Sequence, residues 1–200
     1  MAEMKLFDRW SMQGIKVVDK GLERYMNVEP VVMPKTGGRN AGKTFDKSKM
    51  SIIERLIGKM TVPGHRGKKH VITSGQVTGK YFTAYKILKK AFEKIEKETG
   101  KNPVEVLVAA IENSATREEI AAYQVGGIIV RRAVITAPQR RIDLALKIFA
   151  QTSYRKSFGK KRKMHEALAE EITAAYRNDS SKSDAIKDRE RVEKEAEGAR

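Results

Sequence analysis

Apolar residues recur along the chain at two different spacings, and the switch between them divides it into elements. Ile52, Ile53, Leu56, Ile57 and Met60 lie three and four residues apart until Pro63 and Gly64 interrupt them, which predicts a helix starting after Ser48. Tyr81, Tyr85, Leu88, Phe92 and Ile95 form the stripe of a longer helix whose other side carries Lys86, Lys89, Lys90, Lys94 and Lys97, ending near Gly100. Asn102 can cap the next helix, with Pro103 at its first position and Glu105 placed as in a capping box. Val104, Leu107, Val108 and Ile111 are its inward residues. After Ser114 the period becomes two: Glu118 to Val125 and Ile128 to Ile135 are strands joined by Gly126-Gly127, a pair able to take the positive φ angles of a tight hairpin. That turn sets Tyr123 opposite Val130 and Ala121 opposite Arg132.

The helical period returns at Pro138, with Ile142, Ala145, Leu146 and Phe149 inward. It resumes beyond Gly159 with Met164, Leu168 and Ile172. Ser183 is placed to cap a last, charge-rich helix in which Glu190 and Lys194 stand in the favourable i, i+4 order. Residues 1–35 offer only short apolar runs broken by Pro30 and Pro34, and Thr36 to Lys47 is polar, basic and glycine-rich. The pattern predicts a mainly α fold. Residues 1–47 form an irregular N-terminal extension, unordered in the free protein because its apolar runs are short. Residues 48–200 form one helical domain with a hairpin arm over 118–135. An isolated hairpin is marginal in water, so this one should lean on a helix at its base and project toward a partner at its tip.

Composition narrows the function. The 200 residues contain no cysteine, which removes disulfides, thiolate metal sites and thiol chemistry. No apolar stretch approaches the roughly 20 residues of a membrane span, and the first residues lack a signal-peptide core; no membrane role and a cytoplasmic location are expected. There are 41 basic and 25 acidic residues, a net charge of +16. The excess is localised. Residues 48–102 hold 13 basic and 4 acidic groups, and 137–177 hold 10 and 4, while the segment between them, with 3 and 4, is near neutral. Two basic faces on a folded body attract polyanions. With 6% aromatic residues, recognition of backbone and shape in a folded RNA should outweigh base stacking.

Several motifs resolve into simpler readings. Residues 37–44 spell the G-x-x-x-x-G-K-T phosphate-binding pattern, but no strand is predicted before it and no helix begins at Lys43. A basic loop able to touch RNA phosphates is the expected reading. His165-Glu166 begins a zinc-protease motif whose second histidine is replaced by Ala169, and no serine-hydrolase elbow is present. The adjacent pairs Glu118/Glu119 and Glu170/Glu171 are expected to be solvated. No enzyme activity, cofactor or metal is expected. Lys160, Lys161, Arg162 and Lys163 precede a helix, where cations oppose the dipole. An RNA phosphate at that end would turn the conflict into a binding site.

Four segments, Asn102-Pro103-Val104-Glu105-Val106-Leu107, Tyr123-Gln124-Val125-Gly126-Gly127, Arg131-Arg132-Ala133-Val134 and Pro138-Gln139-Arg140-Arg141, resemble the universal small-subunit ribosomal protein seven family. Pro30 to Phe45 and Ser51 to Leu56 resemble its archaeal and eukaryotic branch, and the similarity runs from about Ser48 to the C-terminus. The resemblance implies a bundle of about six helices with a β-hairpin arm. It implies binding to small-subunit rRNA in its 3′ major domain, nucleation of the subunit head, and an arm near messenger RNA and exit-site tRNA. Neighbours from the ribosomal protein nine and eleven families are implied as well. RNA contacts are expected at Arg66, Lys68, Lys69, Lys86, Lys89, Lys90, Gly126, Gly127, Arg131, Arg132, Arg140, Arg141, Arg155, Lys156, Lys160, Lys161, Arg162 and Lys163. This chain departs from bacterial members in carrying Gln124, where arginine is frequent, and acidic Glu118 and Glu119 in the first arm strand. The rival readings are an architectural DNA-binding protein, which the charge alone permits, and a nucleotide hydrolase at Gly42-Lys43-Thr44.

Overall fold

The computed structural model describes residues 4–66, 69–70, 72 and 74–200, with residues 41, 65, 66, 69 and 70 described by their backbone alone. Its body is built from six helices of nine residues or more: α2 (Ile52–Met60), α3 (Tyr81–Thr99), α4 (Pro103–Ser114), α5 (Pro138–Ser157), α6 (Met164–Tyr176) and α7 (Asp184–Glu197). A four-residue α1 (Lys20–Glu23) precedes them. Three antiparallel strand pairs complete the described elements: β1 (Lys5–Leu6) with β2 (Trp10–Ser11), β3 (His65–Arg66) with β4 (Lys69–His70), and β5 (Glu118–Val125) with β6 (Ile128–Ile135).

The central element is α4. Val104, Val106, Leu107, Val108, Ala110 and Ile111 are all buried, so this helix is apolar nearly all round rather than on one stripe. It packs against α3, α5, α6 and α7. The Asn102 side chain accepts the Val104 N–H at 3.0 Å as the cap, with Pro103 at the first position. The expected second half of the capping box is not formed. Glu105 stays exposed near Lys101, and the Asn102 amide donates instead to the Ser11 carbonyl at 2.6 Å, tying the β1–β2 hairpin to the α3–α4 corner.

The N-terminal extension is irregular, as the proline-broken pattern predicts, and it is not loose. Leu6, Phe7, Trp10, Met12, Leu22 and Met26 belong to the same core cluster as the helices. Phe7 meets Trp10, Tyr85 and Phe92 edge-on at 5.9, 4.7 and 6.0 Å, and Trp10 meets Phe92 at 5.7 Å. Each such pair contributes about 0.5–1.5 kcal/mol beyond the area it buries. Polar fastenings follow. Glu112 accepts the N–H groups of Val18 and Asp19 at 2.6 and 3.0 Å, and Arg141 reaches Asp19 at 2.9 Å. Glu54 accepts both the Thr36 N–H and hydroxyl, at 2.8 and 2.9 Å. The short apolar runs form only two-residue strands and the four-residue α1, yet they supply large side chains that the helices leave room for.

The arm follows the predicted register, Tyr123 opposite Val130 and Ala121 opposite Arg132, with Gly126 and Gly127 at φ +55° and +84° as a two-residue turn requires. Its base rests on α7, and its outer half is exposed on both faces. Here the expectation of solvated carboxylates fails. Glu118 accepts two hydrogen bonds at 2.6 Å from Arg200, and Glu119 accepts two at 2.7 Å from Arg140. The Arg140 contact is a two-point fork through Nε and Nη2, while one Arg200 nitrogen reaches both Glu118 oxygens; together they hold the strand base to α5 and to the C-terminus. Hydrogen bonding by Arg200 keeps the Glu118 carboxyl below its usual pKa.

Glu171 departs furthest from the solvated reading, for its side chain is 0% exposed. One oxygen accepts the Ser183 hydroxyl at 2.9 Å and the Ala185 N–H at 3.0 Å, while the other accepts Lys156 at 2.8 Å. A buried charge needs such full pairing, and this one locks the start of α7 onto α5 and α6. Ser183 caps α7 by accepting the Ile186 N–H at 3.3 Å. Along that helix Arg191 bridges Asp188 and Glu195, at 2.5 and 2.6 Å, in place of the expected Glu190–Lys194 pair.

Candidate nucleic-acid interface

The predicted cationic residues separate into those neutralised inside the molecule and those left facing solvent. Arg140 is committed to Glu119, which raises its pKa through the shared hydrogen bonds. Arg141 is only 11% exposed and pairs with Asp19. Burial would raise the Asp19 carboxyl, but the Gly21 N–H and the Arg141 guanidinium outweigh it and hold the group below its ordinary value. Arg155 pairs with Asp184, Lys156 with buried Glu171, and Arg162 with Glu170. A cation already paired with a carboxylate offers less to a phosphate, since it must give up one partner for the other.

The remaining residues fall in two places. On α3, Lys86 and Lys90 are exposed and Lys89 is half-buried; at the start of α6, Lys160, Lys161 and Lys163 are exposed. None of these six takes part in an ion pair among the described residues. The two groups belong together, because α3 packs along α6 and Lys94 of α3 reaches Glu170 of α6 at 3.4 Å. His165 lies at the junction. Burial, with Lys90, Lys163 and Lys94 acting against neighbouring Glu166, holds its imidazole below the ordinary histidine value. The Glu166 carboxylate accepts the Lys163 N–H at 3.2 Å, so the cap of α6 is made by an acid within the turn while the lysines stay free. On α3 the exposed Phe82 stands one turn before Lys86, with Lys35 of the extension 5.0 Å over its ring.

The second place is the arm. Arg131 and Arg132, successive residues of β6, point to opposite faces and have no carboxylate partner among the described residues; Gly126 and Gly127 form the exposed tip. Around them Tyr123, Val125, Ile128 and Ile129 are also exposed. Arg66 and Lys69 lie in the β3–β4 pair with side chains outside the description, and Lys68 lies outside the described residues.

Sequence reasoning named the lysines of α3 and those before α6 as separate blocks. It did not anticipate their convergence, nor His165 and Phe82 within it. Phe82 had a signal, since it lies on the lysine side of the α3 pattern rather than on the apolar stripe. The loop over residues 37–44 has none of the setting a nucleotide-phosphate loop needs. Gly37 and Gly38 take positive φ, residues 39–41 form a single 3₁₀ turn, and no strand precedes or α-helix follows at Lys43. Among the described residues no helix is long and apolar enough to cross a membrane.

A helical body with a face of unpaired lysines and a projecting two-stranded arm defines a class of protein suited to contact a polyanion. The relatives give that class its family. The model of the ribosomal protein S7p/S5e family matches residues 22–200. The small ribosomal subunit protein uS7 of Nanoarchaeum equitans is 48% identical over 99% of this chain and 100% of its own length. That of Archaeoglobus fulgidus is 41% identical over 99% and 96%, and that of Halococcus morrhuae 42% identical over 98% and 90%. The chain belongs to the ribosomal protein S7p/S5e family, a structural and non-enzymatic one. The match begins at residue 22, well inside the extension, consistent with residues 22–47 packing as part of the body.

Proposed function

We propose that this chain is a primary rRNA-binding protein of the small ribosomal subunit, which holds the 3′ major domain of the rRNA and nucleates assembly of the subunit head. The observation that carries the reading is the set of cations without a carboxylate partner among the described residues: Lys86, Lys89, Lys90, Lys160, Lys161 and Lys163 on one face, and Arg131 and Arg132 on the arm. Basic side chains that the fold leaves unpaired while pairing their neighbours are suited to phosphate contact. Clamping RNA segments that are distant in sequence orders them together and lowers the entropy cost of later binding steps. The exposed arm tip, with glycines that permit close backbone approach, suits a position near messenger RNA and exit-site tRNA. Neighbouring subunit proteins of the nine and eleven families, and a cytoplasmic location on the ribosome, complete the reading.

The test is binding of the purified protein to a 3′-domain rRNA transcript against duplex DNA of equal length, titrated over salt. Preference for the rRNA that persists as salt rises is expected, with the log-log salt slope falling by roughly 0.7–0.9 for each phosphate-contacting lysine removed. Equal affinities with equal slopes would reduce the protein to a basic polyanion binder and reopen the architectural DNA reading.

A further inference from the structure

Phe45 has a backbone φ of +68°, a region that bulky residues rarely occupy, and its ring is 65% exposed. Phe7 shows what normally sustains such a conformation. Its φ is +55°, but its ring is 3% exposed and packs against Trp10, Tyr85 and Phe92. No comparable burial compensates Phe45. Strain kept at an exposed aromatic points to a contact outside the chain.

The surroundings say which kind. Phe45 joins the glycine-lysine loop to the 3₁₀ turn at Asp46–Lys49, and it borders a surface groove of about 440 Å³ that Lys47, Lys59, Arg140, Asp143 and Lys147 also line. The acids at this groove are already held. Asp143 is surrounded by Lys47, Arg55 and Lys59, and Glu119 is bound by Arg140. Lys147 has no carboxylate partner among the described residues, so cations from the extension, α2 and α5 outnumber the carboxylates they face.

We propose that Phe45 is a stacking platform for an unpaired nucleobase of bound RNA, with the adjoining phosphates running through the groove past Lys147, Lys47 and Lys59. Lys47 and Lys59 share with Arg55 the single carboxylate of Asp143 and so keep a net positive charge. An aromatic face beside a cationic channel matches a ligand whose flat rings are attached to an anionic backbone. A duplex keeps its bases stacked on one another, and an acidic peptide supplies charge without a flat partner for the ring. The turn sets the backbone at Phe45 before binding, so little backbone freedom is lost on contact. The proposal rests on the RNA-binding reading above and adds a base-recognition site in a segment that this reading does not use.

The experiment compares the full-length protein with Phe45→Leu, Phe45→Gly, Phe45→Trp and Lys147→Gln, each titrated with the 3′-domain rRNA transcript over salt and melted without RNA. Phe45→Leu keeps an apolar side chain but not the aromatic face, and is expected to weaken binding about tenfold with an unchanged salt slope. Phe45→Gly is expected to weaken binding similarly while raising the melting temperature of the free protein, because glycine relieves the strained φ. That opposite pair of effects excludes misfolding as the cause. Phe45→Trp should retain affinity and show fluorescence quenching when RNA is added, against the one native tryptophan, buried Trp10. Lys147→Gln should lower the salt slope by roughly 0.7–0.9. Wild-type affinity in both Phe45→Leu and Phe45→Gly, with rRNA preference intact, would overturn the platform and leave the RNA-binding reading standing. Loss of rRNA preference in the wild type itself would overturn that reading, and the proposal with it.

Discussion

In the arm, eight residues pair with eight in unbroken register, and none of their side chains enters the core. Residues 5–26 hold two strands of two residues and a helix of four, yet supply Leu6, Phe7, Trp10, Met12, Leu22 and Met26 to that core. Regular hydrogen bonding and contribution to stability are therefore inverted between the two segments. Backbone pairing satisfies polar groups that water would also satisfy, for a net gain of about 1 kcal/mol per bond, while a large apolar side chain taken out of water contributes about 1.5–3 kcal/mol. The extension is part of what folds, and the arm is what the folded body presents.

The sharpest way to break this comparison is to cut a large apolar side chain from each segment. Trp10→Ala is expected to lower the unfolding free energy by about 3–5 kcal/mol in urea titration, whereas Ile129→Ala at the exposed arm tip should change it by less than about 0.5 kcal/mol. Equal losses would make the arm part of the core. Next in size is Glu171→Gln, which deprives Lys156 of its partner at the α7 junction. A loss of about 3 kcal/mol is expected, together with faster proteolysis at the C-terminus.

Acid provides a smaller, graded test. Burial works to raise the Asp143 carboxyl, but the Lys47 hydrogen bond and the charges of Lys59 and Arg55 hold it below the ordinary aspartate value, and Asp19 is lowered as well. At neutral pH both are ionised in the folded and unfolded chain, and their stabilisation is complete. As pH falls below the usual aspartate value the unfolded chain takes up protons first, so stability is lost until the lower folded-state values are passed. Asp143→Asn should flatten this acid limb in melts taken from pH 6 to pH 2, and an unchanged limb would remove Asp143 from the account. The smallest effect belongs to the RNA face. A phosphate lying over Lys90, Lys94 and Lys163 would screen the charges that depress His165, so its imidazole pKa should rise in the RNA complex in an NMR titration, with Glu166 acting in the same direction. An unchanged value would place the RNA elsewhere.

Sequence periodicity read the six long helices and the arm, including its register, because each depends on residues near one another in the chain. Gly126-Gly127 fixed the turn, and the turn fixed every cross-strand pair. What periodicity could not read was partnership across elements. Glu171 looks solvated beside Glu170 until Ser183 and Lys156 arrive from other helices, and Arg141 looks like an RNA contact until Asp19 of the extension meets it. The extension was hidden for the same reason: Leu6, Phe7 and Trp10 follow no period, and only the cleft beside Tyr85 and Phe92 gives them a place. Of the cationic site, composition showed the amount and the blocks. Which cations remain unpaired was decided by carboxylates far away in the sequence.

The most direct measurement is amide hydrogen exchange on the full-length protein without RNA, comparing the extension, α3 and the arm in one sample. The Phe7 amide, bonded to the Val32 carbonyl, and those of Leu22 and Tyr25, bonded to Asp19 and Leu22, should exchange within about an order of magnitude of the α3 amides they pack against, while those around Gly126 and Gly127 exchange far faster. Extension amides exchanging as fast as the arm tip, with α3 still protected, would mean that residues 5–26 do not belong to the folded core and would contradict the account.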